Sequence, residues 1–139
     1  SYRRVSLERL LSGKGLLNIY AAISKLNDVC NSLDQPSQVV GNAVDGSDQI
    51  AIQTLELFCE VMGSMAGNLA LTYGAGGGVY VAGGIVPRFE QFFINSRFRH
   101  FFENKGRFSE YLKSIPTYLA SRSDLGLIGA AKSLILNQE

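Results

Sequence analysis

The chain has 139 residues, of which 46% are hydrophobic and 18% are charged, a balance typical of one globular domain with a hydrophobic core. Thirteen basic residues against twelve acidic ones leave a formal net charge of +1, so the bulk charge gives no attraction to nucleic acid or to an anionic membrane. The apolar runs are short and the N-terminus shows no charged-then-apolar pattern, so we expect neither a membrane span nor a secretion signal. Cys30 and Cys59 lack metal-ligand spacing, and we expect two reduced thiols in a cytoplasmic protein.

The spacing of apolar residues predicts three helices near the start of the chain, over residues 6–11, 16–27 and 37–44. Ser6 is the expected N-cap of the first helix, and Glu8 lies in its first turn, where a carboxylate suits the positive end of the helix dipole. The glycine-containing run over residues 12–15 is expected to break the helical pattern. The Asp45-Gly46 pair is expected to end the third helix.

The longest predicted helix covers residues 48–73 and begins at a cap supplied by Ser47 or Asp48. One face of this helix is apolar at helical spacing, through Ala51, Leu55, Phe58, Met62, Met65 and Leu69. We therefore expect the helix to be mostly buried, and we interpret its two methionines as core residues rather than as a binding surface.

The same helix carries a line of small residues, formed by Gly63, Gly67, Ala70 and Gly74. Glycine costs roughly 1 kcal/mol relative to alanine inside a helix, so repeated glycines indicate a compensating role. Two roles stay open at this point. Another element can pack closely against the helix, or a flat ligand can approach its backbone.

The stretch from Gly74 to Phe89 is the most informative part of the sequence. A short apolar run over residues 79–82 lies between glycines, which favours a buried strand. Gly83 and Gly84 then predict a turn, and Pro87 suits the first turn of a following helix. At such a junction a ligand can approach the backbone, and the helix N-terminus offers free N–H groups. The pattern is neither a Walker A motif nor G-x-G-x-x-G, so an ordinary turn remains the alternative.

The rest of the chain predicts further helices and one more strand. The helices are expected over residues 87–94, 97–103, 108–113 and 124–136, the last capped by Asp124, and the strand over residues 117–120. Strand, helices and strand predict a parallel, right-handed crossover. Gly126 and Gly129 share a face of the last helix, which favours close packing there.

Aromatic and basic residues are interleaved between residues 88 and 111, a pattern that can indicate nucleic-acid binding. Because the aromatic residues are three and four apart, we interpret them as buried helix faces. The arginines are then solvated partners of Glu90, Glu103 and Glu110. His100 has no second ligand nearby and is interpreted as a surface or packed residue rather than a metal ligand.

Residues 79–89 closely resemble the adenosine-binding segment of the bacterial glucokinase family, part of the sugar kinase, actin and Hsp70 superfamily. Further matching segments follow the family order, at residues 6–13, 67–71, 101–108 and 126–129. The resemblance implies a helix-rich α/β fold, the C-terminal part of an actin-like (ribonuclease H-like) ATPase domain with a short parallel sheet covered by helices. It implies that residues 1–122 belong to the large domain, and that residues 123–139 form a final helix crossing towards the small domain.

The resemblance also implies ligands. Gly67, Asn68, Gly83 and Gly84 are the residues expected to bind ATP, and Glu8 is the residue expected to bind glucose. A carboxylate accepts two hydrogen bonds and can orient adjacent sugar hydroxyl groups, whereas without the resemblance Glu8 would be interpreted as a first-turn helix carboxylate. The Mg²⁺ ligands, the phosphate loop and the catalytic base of the family lie in N-terminal motifs that this chain does not contain.

The first hypothesis is therefore the C-terminal portion of an ATP-dependent glucokinase, inactive by itself, from a cytoplasmic protein that is a homodimer at full length. A second hypothesis is a non-catalytic sugar-sensing or regulator module on the same fold. A third is a helical protein-interaction domain, which would not respond to nucleotides.

Overall fold

A computed structural model describes residues 6–30, 32–122 and 124–136. Over these residues the elements follow in the order α1 (Gly13–Leu26), α2 (Pro36–Val44), α3 (Gln49–Tyr73), β1 (Val79–Val81), α4 (Glu90–Ile94), α5 (Phe98–Glu103), α6 (Ser109–Lys113), β2 (Thr117–Leu119) and α7 (Leu125–Leu136). Short 3-10 helices occur at Leu7–Arg9, Val86–Phe89 and Gly106–Phe108. The prediction of a helix-rich α/β fold with a short parallel sheet is confirmed.

The two strands pair in parallel, as the predicted crossover requires. The register places three residue pairs opposite each other: Val79 and Thr117, Tyr80 and Tyr118, Val81 and Leu119. Alternate side chains point to opposite faces of a sheet. The two tyrosines therefore share one face, where their exposed rings stack with centroids 4.8 Å apart. The two valines and Leu119 pack against the core from the other face.

Asp48 fixes the start of α3. Its Oδ1 atom accepts hydrogen bonds from the backbone N–H groups of Ile50 at 2.8 Å and Ala51 at 3.1 Å. Its Oδ2 atom accepts a hydrogen bond from the Tyr20 hydroxyl at 2.7 Å. Burial and the hydrogen bond to Asp48 raise the pKa of Tyr20, so the hydroxyl stays protonated and donates. Of the two predicted caps, Asp48 rather than Ser47 is the one used.

Replacing Asp48 by alanine is expected to lower the free energy of unfolding by about 2–3 kcal/mol, because it removes an N-cap and leaves the buried Tyr20 hydroxyl without its acceptor. Urea denaturation followed by circular dichroism measures the change. Ser47→Ala is the matched control and should alter the stability by less than about 0.5 kcal/mol. Equal losses in the two variants would contradict the assignment of the cap.

The hydrophobic core is built around α3. Helices α1, α2 and α5 all pack against it. The largest fully buried apolar side chains come from several elements and include Leu16, Tyr20, Val39, Leu55, Phe58, Phe102, Leu112 and Ile115. Burial of this kind stabilises a domain by roughly 1.5–3 kcal/mol for each large side chain.

Close packing of α5 against α3 explains two of the glycines in the small-residue line. A Cβ atom at Gly63 would overlap the carbonyl oxygen of Phe98, and one at Gly67 would overlap that of Phe102. Both glycines are buried. Gly74 has another role, because its φ of +58° places it in the left-handed conformation that ends α3.

The N-terminal segment differs from the prediction. The first predicted helix is a 3-10 turn over Leu7–Arg9, and α1 begins earlier than expected, at Gly13. Ser12 caps α1, because its Oγ atom accepts a hydrogen bond from the N–H group of Gly15 at 3.0 Å. A Cβ atom at Gly15 would overlap the carbonyl group of Leu10. Capping and close packing therefore offset the low helix propensity of the glycines that were expected to break the pattern.

Two arginines correct the prediction of solvated arginines beside nearby glutamates. Arg97 pairs with Glu60 of α3 at 2.9 Å. Arg99 does pair with Glu103, but it is partly buried and lies over the Phe102 ring. It also donates to three backbone carbonyl groups at 2.8–3.2 Å, those of Leu112, Lys113 and Ile115. Arg99 thus ties α5 to the end of α6 and to the residues that lead into β2.

Among the described residues, no cluster of potential metal ligands includes the cysteines or the histidine. No disulfide joins Cys30, which is exposed, to Cys59, which is buried in α3. Burial raises the pKa of the Cys59 thiol to about 11, so this side chain stays protonated. His100 is exposed, and its ring meets the Phe101 ring edge-on, with centroids 5.4 Å apart.

The two glycines of helix α7 that were predicted to pack closely face open space among the described residues. Gly126 and Gly129 have no atom within 4 Å of the position that a Cβ would take, and Leu127 is 77% exposed. The prediction that these glycines pack closely is therefore wrong for the described part of this chain. Asp124, the predicted cap, pairs its carboxylate with Arg122 at 2.8 Å. No helix in the described residues is long and apolar enough to cross a bilayer.

Candidate functional site

A groove of about 400 Å³ lies between α3 and the residues around the glycine pair. One face of α3 forms the first wall, through Phe58, Met62, Met65, Ala66 and Leu69. Residues 79–86 form the second wall, and Leu11 completes the lining. The volume falls in the range of small-molecule sites, roughly 300–1,000 Å³.

Gly83 and Gly84 give the groove a stretch of bare backbone. Gly83 has a φ of +136°, a conformation that side-chain-bearing residues rarely adopt. The φ of Gly84 lies outside that region. No atom lies within 4 Å of an ideal Cβ at either position. A ligand can therefore reach the backbone here, and a side chain at position 84 would take up space in the groove without straining the chain.

The helix predicted over residues 87–94 is present, but it begins as a 3-10 helix. Pro87 lies in its first turn, as expected, but this turn belongs to the 3-10 helix Val86–Phe89. The chain then continues as α4, which has five residues. A short helix aligns few peptide dipoles and attracts an anion weakly. The backbone of the glycine pair is therefore the main polar feature of this wall.

Gly67 and Asn68, the other two expected ATP ligands, are not among the described residues that line the groove. Gly67 is buried against Phe102 of α5. Asn68 is exposed, with its amide nitrogen 4.0 Å from the sulfur of Met65. The groove is lined instead by Met65 and Leu69, which precede and follow this pair. A role of Gly67 and Asn68 in nucleotide binding stays a prediction.

A second concavity, of about 370 Å³, lies at Glu8. Its other lining residues are Arg9, Ser12, Lys14 and Asn18. The Glu8 side chain is exposed, on the 3-10 turn before α1. The amide of Asn18 donates a hydrogen bond to the carbonyl group of Arg9 at 3.2 Å, which ties this turn to α1. The Glu8 carboxylate is therefore accessible to a ligand and lies on a segment that α1 holds in place.

The two concavities are lined by residues that are close together in the sequence. Leu11 lines the groove, while Glu8, three residues earlier, lines the second concavity. Three residues span at most about 11 Å of extended chain. Glu8 and Leu11 are therefore no more than about 11 Å apart.

The described residues do not provide a metal site. Among them, no three His, Cys, Asp or Glu side chains come together as metal ligands would. The side chains of the groove are almost all apolar. The residues present therefore fit the base and ribose of a nucleotide, and they fit neither Mg²⁺ nor a triphosphate. The use of Mg²⁺ stays a prediction.

The sequence did not identify Leu11, or the side chains of α3 that line the groove. Met62 and Met65, interpreted as core residues, are both half-buried and line the groove. Only Met62 is also packed against the core. A signal was present, because the apolar face of α3 continues past the buried Phe58 to Leu69, which is 48% exposed.

A glycine turn beyond a parallel strand, facing an apolar groove, is a common position for a ligand in an α/β protein. The crystal structure of a glucokinase from an Antarctic psychrotroph is similar to this chain, with a TM-score of 0.85 and 38% sequence identity, over 94% of this chain and 40% of that one. The sequence profile of the family described as Glucokinase matches residues 1–137. The chain belongs to the glucokinase family.

Two relatives show what share of a glucokinase this chain matches. The glucokinase of Hahella chejuensis is 51% identical over 138 residues, which is 99% of this chain and 42% of that protein. The glucokinase of Pectobacterium atrosepticum is 49% identical over 134 residues, or 96% of this chain and 42% of that protein. The chain therefore spans about 42% of the length of these relatives.

Proposed function

We propose that the chain is the C-terminal part of a glucokinase, which transfers the γ-phosphoryl group of ATP to the 6-hydroxyl group of glucose and leaves ADP. In this proposal the chain supplies the adenosine side of the ATP site and one sugar-binding glutamate. The observation that carries the proposal is the groove at Gly83 and Gly84 beside the Glu8 concavity, in a chain of the glucokinase family.

The groove suits the adenosine end of ATP. Its apolar walls can bury a flat base, and the bare backbone at Gly83 and Gly84 allows the ribose to approach. Open α/β sheets bind ligands beyond the carboxyl ends of their strands. Gly83 follows the last residue of β1 by two positions, which supports this placement.

Glu8 suits the sugar. An exposed carboxylate can accept hydrogen bonds from two adjacent hydroxyl groups and so fix the orientation of a pyranose ring. The 3-10 turn that carries Glu8 leads through Leu11 into the nucleotide groove. In this proposal, a sugar bound at Glu8 lies next to a nucleotide bound in the groove.

The remaining parts of the proposed enzyme lie outside this chain. Phosphoryl transfer needs Mg²⁺, a phosphate cradle and an oriented acceptor, and the described residues offer no set of ligands for the metal. We therefore propose that the chain alone is inactive. From the resemblance to glucokinases we also propose that the full-length enzyme is a cytoplasmic homodimer. The open positions at Gly126 and Gly129 on α7 support the proposal that this helix crosses towards the small domain.

The proposal is tested in a chimera, the Hahella chejuensis glucokinase with these 139 residues in place of its matching segment. Gly84→Val in the chimera is expected to raise the KM for ATP by about tenfold or more and to leave the KM for glucose unchanged, because a branched side chain fills the groove. A coupled assay of glucose 6-phosphate formation measures both constants. Gly84 is the better probe than Gly83, where the positive φ would add strain.

Gly77→Val is the matched control. Gly77 lies before β1, outside the groove, with no atom within 4 Å of an ideal Cβ and without a positive φ. Its substitution should leave both constants unchanged. If Gly84→Val also leaves the KM for ATP unchanged in a folded chimera, the nucleotide assignment is wrong. A chimera that binds glucose without phosphorylating it would favour the sugar-sensing alternative.

A further inference from the structure

The wall of α3 opposite the glycine pair includes large, flexible apolar side chains that are only partly buried. Met62 and Met65 are half-buried, and Leu69 is 48% exposed. They are three and four residues apart, so they follow one another along a single face of the helix. These two methionines are the only ones in the chain. Thioethers are polarizable and make favourable contacts with aromatic rings.

The groove offers almost no side chain that could recognise the polar edge of a base. Of its described lining residues, only Tyr80 carries a side-chain nitrogen or oxygen atom. The Tyr80 ring is 69% exposed and stacks on Tyr118, with centroids 4.8 Å apart. Its hydroxyl group therefore belongs to the outer face of the sheet. A base held in the groove meets apolar side chains on both walls and bare backbone at Gly83 and Gly84.

We propose that Met62, Met65 and Leu69 bind the base of the nucleotide through its flat face, so that the site accepts 6-keto purines as well as adenine. This inference rests on the proposed nucleotide role of the groove. A hydrophobic pocket distinguishes similar ligands by only about 10–200-fold, whereas a site that hydrogen-bonds a polar substituent rejects its analogue by roughly 10⁴–10⁵-fold. The substrate class is then the purine nucleoside triphosphates rather than ATP alone.

Methyl-labelled methionine tests the inference on the chain itself, because the two methionine signals both report on the α3 wall. Adenosine and inosine, which differ at the 6-position of the base, are titrated separately, with ribose as the control without a base. We expect both nucleosides to shift the Met62 and Met65 signals, with dissociation constants within about tenfold of each other. Ribose should shift neither signal. Met62→Leu removes one signal and so assigns the other.

Two results would overturn the inference. A response to adenosine without one to inosine would mean that the backbone of the glycine pair recognises the 6-amino group. No response to either nucleoside would mean that the base does not lie against the methionines. The chimera gives a second measurement, in which kcat/KM for ITP should lie within about 200-fold of that for ATP, and a ratio near 10⁴ would overturn the inference.

These measurements separate the inference from the proposed function. A chimera that uses ATP and responds to Gly84→Val, but rejects ITP, retains the proposed function and loses the inference. A folded chimera that does not phosphorylate glucose at all would contradict the proposed function, and it would contradict the inference as well.

Discussion

Glu8→Gln in the chimera is expected to lower kcat/KM for glucose by about 100-fold or more, while the KM for ATP stays the same. Hydrogen bonds to a charged group contribute about 1.5–3 kcal/mol each, and the carboxylate is proposed to accept two of them from adjacent hydroxyl groups. A loss of about 3 kcal/mol corresponds to a rate reduction of this size. Steady-state kinetics with glucose varied at saturating ATP measures the effect.

The control for Glu8 is Glu110→Gln. Glu110 is also a first-turn helix carboxylate, and it is exposed and paired with Lys113 at 2.8 Å. If Glu8 were only a favourable charge at a helix start, both variants would behave alike and glucose kinetics would not change. Such a result would mean that Glu8 has only a structural role and that this chain does not contribute it to a sugar site.

Gly63→Val is expected to destabilise the chain by about 4 kcal/mol or more, the largest loss of stability anticipated here. A Cβ atom at this position would overlap the carbonyl oxygen of Phe98, and a backbone group cannot rotate away as a side chain can. α3 and α5 would have to separate, and Phe98 and Phe102 would lose their packing. Urea denaturation of the purified chain measures the loss.

Gly41→Val is the matched control for this change. Gly41 is also inside a helix, α2, but no atom lies within 4 Å of its ideal Cβ. Valine has a better helix propensity than glycine, so the control should be neutral or slightly stabilising. Similar losses in both variants would mean that helix propensity, rather than the approach of α5, decides the effect at Gly63.

The elements that the sequence predicted well have strong local signals. The cap at Asp48 and the apolar periodicity placed α3 within one residue of its observed bounds, Gln49–Tyr73. Glycines on both sides of a short β-branched run placed β1, and the connection through helices predicted its parallel pairing with β2. These features depend on residues close in sequence, so a single chain is enough to recognise them.

The face of α3 that lines the groove could not be predicted in the same way. Periodicity shows that two faces exist, but not which neighbour packs against each. A line of small residues allows either a ligand or another helix to approach the backbone closely. In the structure it is α5 that lies against Gly63 and Gly67. Met65 and Leu69 line the groove, although their apolar character predicted that they would be buried in the core.

Arg99 shows a second limit of sequence reasoning. Its spacing from Glu103 predicts an exposed ion pair on a helix, and that pair is present. The three carbonyl acceptors lie 13–16 residues further along the chain. They become available to Arg99 only because α6 ends beside α5, which is a property of the tertiary fold. No local pattern records such a contact.

We propose that this chain is the part of a glucokinase that holds adenosine and one side of the sugar. The most direct test is to measure glucose 6-phosphate formation by the chimera and by the chain alone. We expect the chimera to phosphorylate glucose, and we expect the purified chain, with its mass confirmed, not to exceed background. General acid–base catalysis alone contributes about 10²–10⁴-fold, and phosphoryl transfer also needs positioned charge. Phosphorylation of glucose by the chain alone, or a folded chimera without activity, would contradict the claim.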